Sequence, residues 1–225
     1  MEGNPQPPKP ESKYRSADEI ISQMKIAFTN ASQPDILPSL QTVGITAAKL
    51  ANYLAQITQL ENLTQQQKKE YGDQYSETDK LNSKRTEIDD LYRRHLGILK
   101  IALKDDVQAS ATLGLSESRK SAFASWFQQV NNFYAQLANN SDFAAKAAAV
   151  GISSALITQQ QTALQDADSL KESQKKEAGE AQKATETRDE ALDALYPKYT
   201  ELLSYARVLF SDDQTLEKLG IVVKR

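Results

Sequence analysis

No proline occurs between Thr46 and Leu103, and apolar or aromatic residues return there in steps of three and four: Leu50, Tyr53, Ile57 and Leu60. After a polar middle the same seam resumes in phase at Tyr71, Leu81, Ile88, Tyr92, Leu99 and Ala102. A mean step of 3.5 residues keeps each side chain on one stripe of a helix, which is the pattern of a coiled-coil seam. Read as one helix rising about 1.5 Å per residue, the stretch reaches about 87 Å. A globular helix is normally about 8–20 residues long, so few folds accept an element of this length. The chain is expected to be all-α.

A second constraint is internal repetition. Val43-Gly44-Ile45-Thr46 recurs as Val150-Gly151-Ile152-Ser153, and Gly72 recurs as Gly179, both 107 positions on. Ile20, Ile21, Met24, Ala27 and Phe28 match Trp126, Phe127, Val130, Phe133 and Tyr134 with one residue of slippage, and Leu91-Tyr92 is matched with Leu195-Tyr196. The sequence therefore reads as a Pro-rich tail over 1–14, a first helical repeat over 15–115 and a second over 116–225. The two repeats are expected to intertwine as one structural unit.

Local signals place the shorter elements. Ser16 followed by Glu19 is a capping box, and Ile20, Met24, Ala27, Phe28 and Ala31 mark one helical face ending before Pro34. The segment 33–46 reads as a short helix closed by Gly44, with Thr46 capping the long helix. The same junction, an acid, a short turn, then an apolar residue before Gly and Ile or Leu, follows Asp105-Asp106 to Gly114 and Asp212-Asp213 to Gly220. Phe123, Trp126, Phe127, Val130, Phe133, Tyr134 and Leu137 form an aromatic core face. The second long helix is expected over about 154–210, with Pro197 disturbing it locally.

Two long stripes in one chain can bury each other. The expected fold is an elongated, internally duplicated helical protein: two long antiparallel helices form a coiled coil with a three-helix bundle at each end. Gly72, Gly179 and nearby alanines would let the backbones approach closely near the crossing. The competing fold is a compact multi-helix bundle with hairpins at Gly72 and Gly179. It is disfavoured because Glu70-Tyr71-Gly72-Asp73 and Ala178-Gly179-Glu180 lack clustered turn residues.

No motif announces a chemistry. The chain has no cysteine, which removes disulfides, thiol catalysis and thiolate metal sites. His95 is the only histidine, so a two-histidine zinc site or a di-iron bundle cannot be built, and it reads as a seam residue. Asp89-Asp90, Asp105-Asp106 and Asp212-Asp213 lie in no EF-hand pattern, and the last two pairs read as helix starts. There is no P-loop, GxGxxG or GxSxG. No catalytic, cofactor or metal residue is assigned, and no cofactor is expected.

Charge is balanced, with 27 basic and 30 acidic side chains interspersed, so neither a nucleic-acid face nor a polybasic membrane patch stands out. Arg93-Arg94 with Lys100 and Lys104 reads as solvated charge. No apolar run approaches a membrane span, and Met1–Pro8 lacks the layout of a secretory signal, so a soluble, cytoplasmic chain is expected. The overlapping PxxP patterns from Pro5 to Pro10 read as linker rather than as a docking motif. The expected function is non-enzymatic: a rigid helical spacer or docking rod, monomeric or homodimeric, that binds protein partners. The alternative is a membrane-active or lipid-binding helical protein.

Overall fold

The computed structural model describes residues 15–222, so the expectations for the Pro-rich tail and its PxxP patterns lie outside the described residues. The described residues are helical, without a strand. The elements are α1 (Ala17–Ala31), α2 (Leu37–Gln41), α3 (Ala47–Ala102), α4 (Val107–Thr112), α5 (Phe123–Asn139), α6 (Ser141–Ala149), α7 (Ser154–Leu209) and α8 (Asp213–Lys218). Both α3 and α7 contain 56 residues. Each remains helical through Gly72 or Gly179, which rules out the hairpin alternative.

Helix ends follow from local chemistry. Ser16 and Glu19 form the capping box that opens α1, each side chain bonding the other residue's backbone N–H. Thr46 Oγ1 accepts from Lys49 N–H at 3.3 Å, and Ser153 Oγ accepts from Leu156 N–H at 3.3 Å, opening the two long helices alike. Asp106 and Asp212 cap α4 and α8 by accepting from Ala109 and Thr215 N–H. Asp35 departs from the expected acidic start. The N-cap of α2 is Ile36, which makes no side-chain cap, and Asp35 instead pairs with Lys218 at 3.1 Å.

The four junction glycines, Gly44, Gly114, Gly151 and Gly220, have φ of 82°, 63°, 86° and 80°. At Gly44 the reason is explicit. Gly44 N–H donates to Gln41 O and Ile45 N–H reaches back to Leu40 O, the Schellman pattern, which needs a left-handed residue between them. Ile45, Leu115, Ile152 and Ile221, each following its glycine, are all buried. The apolar residue after each glycine is thus part of the cap, closing the turn over the helix it ends.

Two compact units result, and both long helices contribute to each. One comprises residues 15–70 and 180–222. Its core packs Met24, Ala27 and Phe28 of α1 against Leu50, Ile57 and Leu60 of α3 and Leu195, Leu202 and Ala206 of α7, with Leu40 and Leu219 closing it. Beyond the core, α3 and α7 meet through polar groups. Gln67 Nε2 donates to Thr185 Oγ1 at 2.9 Å, and Arg188 donates to Gln67 Oε1 at 2.8 Å.

The other unit comprises residues 71–179. Trp126, Val130, Phe133, Tyr134 and Leu137 of α5 are buried against Ile88, Tyr92 and Leu99 of α3 and Ile157, Leu164 and Ala167 of α7. The aromatic face of α5 is therefore core. Gln174 Nε2 donates to Thr78 Oγ1 at 3.2 Å, and Lys84 lies 3.6 Å from Asp166, so polar contacts join α3 and α7 here too.

Three seam expectations need correction. Tyr71 is exposed and lies beside Tyr75, with ring centroids 6.5 Å apart, and Ala102 is exposed as well. Gln67 and Thr78, on either side of Tyr71 along α3, make the hydrogen bonds to α7. Gly72 and Gly179 do not serve a close approach either, because a Cβ at either would meet no atom within 4 Å. Pro197 lies within α7, which stays helical around it although proline donates no backbone hydrogen bond.

Candidate functional site: a cationic cleft on the 71–179 unit

Arg85, Asp89 and Arg93 are spaced by four along α3 and so project from one face of the helix. The segment between α4 and α5 folds over that face. Gln129 Nε2 donates to Ser118 O at 3.0 Å, Lys120 N–H donates to Gln129 Oε1 at 3.1 Å, and Arg85 donates to Ser121 O. This strapping brings Arg119 and Lys120 to the rim. Trp126, in the first turn of α5, forms the floor. The cleft has a volume of about 640 Å³ and is open to solvent.

Asp89 organises the charges. Only 9% exposed, it accepts from Trp126 Nε1 at 2.9 Å, is ion-paired with Arg119 and lies 2.7 Å from Arg93. A buried carboxylate is tolerated when its lone pairs are met in this way. The guanidinium of Arg85 lies 5.0 Å from the Trp126 ring centroid, and that of Arg119 lies 4.6 Å from the Tyr92 ring centroid. Burial, followed by the neighbouring Arg85 charge, lowers the Arg119 pKa, yet a guanidinium stays cationic in water. Burial, with a smaller contribution from Glu117, pushes the Tyr92 hydroxyl up to about 12, so it is neutral.

His95 lies two residues beyond Arg93 on α3 and does not line this cleft. It is buried, and its Nδ1 sits 2.9 Å from the Tyr134 hydroxyl. Burial first, then the charge of Arg94, lowers its pKa, so the neutral ring is favoured. A buried neutral histidine hydrogen-bonded to tyrosine is a core pair, in agreement with its reading as a seam residue.

The structure agrees with the sequence reading of Arg93-Arg94, Lys100 and Lys104 as solvated charge, since all four are exposed. Arg94 and Lys100 are exposed and Lys104 lies 3.9 Å from its exposed neighbour Asp105. Arg93, its side chain 66% exposed, also lines the cleft. Sequence reasoning missed Arg85, Arg119, Lys120 and the role of Asp89. The one local signal was the Asp89–Arg93 spacing, since Arg119 and Trp126 are 30 and 37 positions from Asp89. Comparison of the chain with protein-family models, with characterised proteins and with solved structures finds no match.

Proposed function

We propose that the chain is a non-enzymatic interaction protein, a rigid helical spacer or docking rod for protein partners. The observation that carries this reading is the pair of unbroken 56-residue helices, α3 and α7. Stiff helices of that length hold surfaces at a fixed separation, a task that needs no reactive group. The polar hydrogen bonds between α3 and α7 support a coiled-coil pairing with a narrow seam in their middle parts.

The reading includes duplication: two copies of one unit, over 15–115 and 116–225, with a three-helix bundle at each end of the coiled coil. Several numbers support it. The long helices begin 107 positions apart, at Ala47 and Ser154. Buried residues follow at the same interval, pairing Leu50 with Ile157, Ile57 with Leu164, Ile88 with Leu195 and Leu99 with Ala206. In α1 and α5 the interval is 106, pairing Met24 with Val130 and Phe28 with Tyr134. This register pairs Tyr92 with Tyr199, in place of the Leu91-Tyr92 match to Leu195-Tyr196.

The test combines chemical crosslinking of the full chain in its native extract with melting curves across a metabolite library. The reading expects reproducible crosslinks to a protein partner and no stabilising metabolite. A metabolite that stabilises the chain and is turned over by it would contradict the reading. Flotation with liposomes in place of a protein crosslink would favour the lipid-binding alternative.

A further inference from the structure

We propose that the cationic cleft is a receptor for the carboxylates of an acidic, Asp- and Glu-rich segment of a protein partner. The proposal rests on the docking reading above and names the chemistry of what docks. Four cations, Arg85, Arg93, Arg119 and Lys120, line the cleft against two carboxylates, Asp89 and Asp90, leaving an excess of two positive charges. Asp89 is saturated from within and fixes two of the guanidiniums. Arg85 and Lys120 form no ion pair with any described residue. Arg85 spends one donor on Ser121 O and lays its face on Trp126, leaving other donors of its fork for an oxyanion.

The charge pattern selects among anions. Asp90 lines the same cleft, and separate carboxylates on a flexible segment can each seat on a cation away from it, whereas the two charges of a phosphate stay together. A volume of about 640 Å³ exceeds what a single carboxylate fills and lies within the range of about 300–1,000 Å³ typical of ligand clefts. Side chains from a short acidic segment meet both conditions.

The fold itself does not require this network. At the positions 107 residues on from Arg85, Asp89 and Arg93, the chain carries Leu192, Tyr196 and Thr200, and Leu192 packs against the other core. The other unit thus carries no cation at these three positions, and Tyr196 is exposed there. Replacing a buried ionic cluster by apolar residues is often neutral or stabilising. The helical scaffold therefore does not demand the excess cations, and an anionic ligand would account for them.

Trp126 is the only tryptophan in the chain and forms the cleft floor, so its emission reports occupancy. The experiment titrates the full chain with a hexaglutamate peptide at low salt, following Trp126 fluorescence and heat, with inorganic phosphate in parallel. The proposal expects saturable binding that fades at high salt. It expects Arg85→Gln and Lys120→Gln each to weaken binding by about tenfold or more, the loss of one charge-assisted contact. Lys25→Gln, on the other unit, should leave binding unchanged. Lys120→Gln keeps the test decisive if Arg85→Gln misfolds, since the Lys120 side chain supports no internal ion pair.

Absence of saturable binding, equal affinity in the cleft variants, or tighter binding of phosphate than of the peptide would each overturn the assignment. Its failure is separable from failure of the docking reading. A crosslinked partner retained in full by Lys120→Gln would sink the cleft alone. Peptide binding without any crosslinked partner would sink the docking reading and leave the cleft.

Discussion

His95 and Tyr134 show what a single pair of side chains contributes. The residue 107 positions on from His95 is Leu202 and that 106 positions before Tyr134 is Phe28, both buried in the other core. One core therefore holds a polar pair where the other is apolar. Because burial lowers the folded-state pKa of His95 below its unfolded value of about 6.5, the unfolded chain binds the proton more readily. The stability gained from the neutral ring is present above about pH 6.5 and is lost as pH falls through that value towards the folded pKa. Melting temperature should accordingly drop between pH 7.5 and 5.5, and the His95→Leu, Tyr134→Phe double variant should lose that component of the drop. His95→Leu alone should destabilise by about 1–3 kcal/mol, since it leaves the Tyr134 hydroxyl buried without its partner. An unchanged pH slope in the double variant would show that another group titrates. At this scale His95 was legible as a seam residue, because its heptad position is a local property. Asp89 was not, because its partners arrive from distant parts of the chain.

Among elements, the ends of helices were the most legible feature and their middles the least. Thr46 and Ser153 are N-caps, and the glycine junctions are Schellman turns, all set by residues within a few positions of one another. Tyr71 was misplaced on the seam because periodicity fixes phase but not what lies opposite. The two kinds of glycine make a direct contrast. Gly72 and Gly179 lie inside helices with open space where a Cβ would be, so Gly72→Ala and Gly179→Ala should each stabilise by about 1 kcal/mol. Gly151 has φ of 86°, and Gly151→Ala should cost about 1–2 kcal/mol even though no atom obstructs the new methyl. Urea denaturation of the three variants reads both signs. A destabilised Gly72→Ala would mean that α3 does not run straight on as a regular helix at that point.

For the molecule as a whole, the proposed spacer function depends on α3 and α7 remaining single stiff elements in solution. Both α3 and α7 contain 56 residues and carry apolar residues at helical spacing, which is why these elements could be anticipated from sequence. The cleft could not, because charge patterning along one helix does not say which loop will fold over it. Helices of 56 residues rise about 84 Å at about 1.5 Å per residue. A compact globule of 225 residues, by contrast, has a radius of gyration of about 17 Å. Small-angle X-ray scattering on the monomer, its mass verified by light scattering, separates the two most directly. The account predicts a maximum dimension at or above the helix length of about 84 Å. A radius of gyration close to about 17 Å, the value for a globule, would contradict the continuous helices and with them the spacer function.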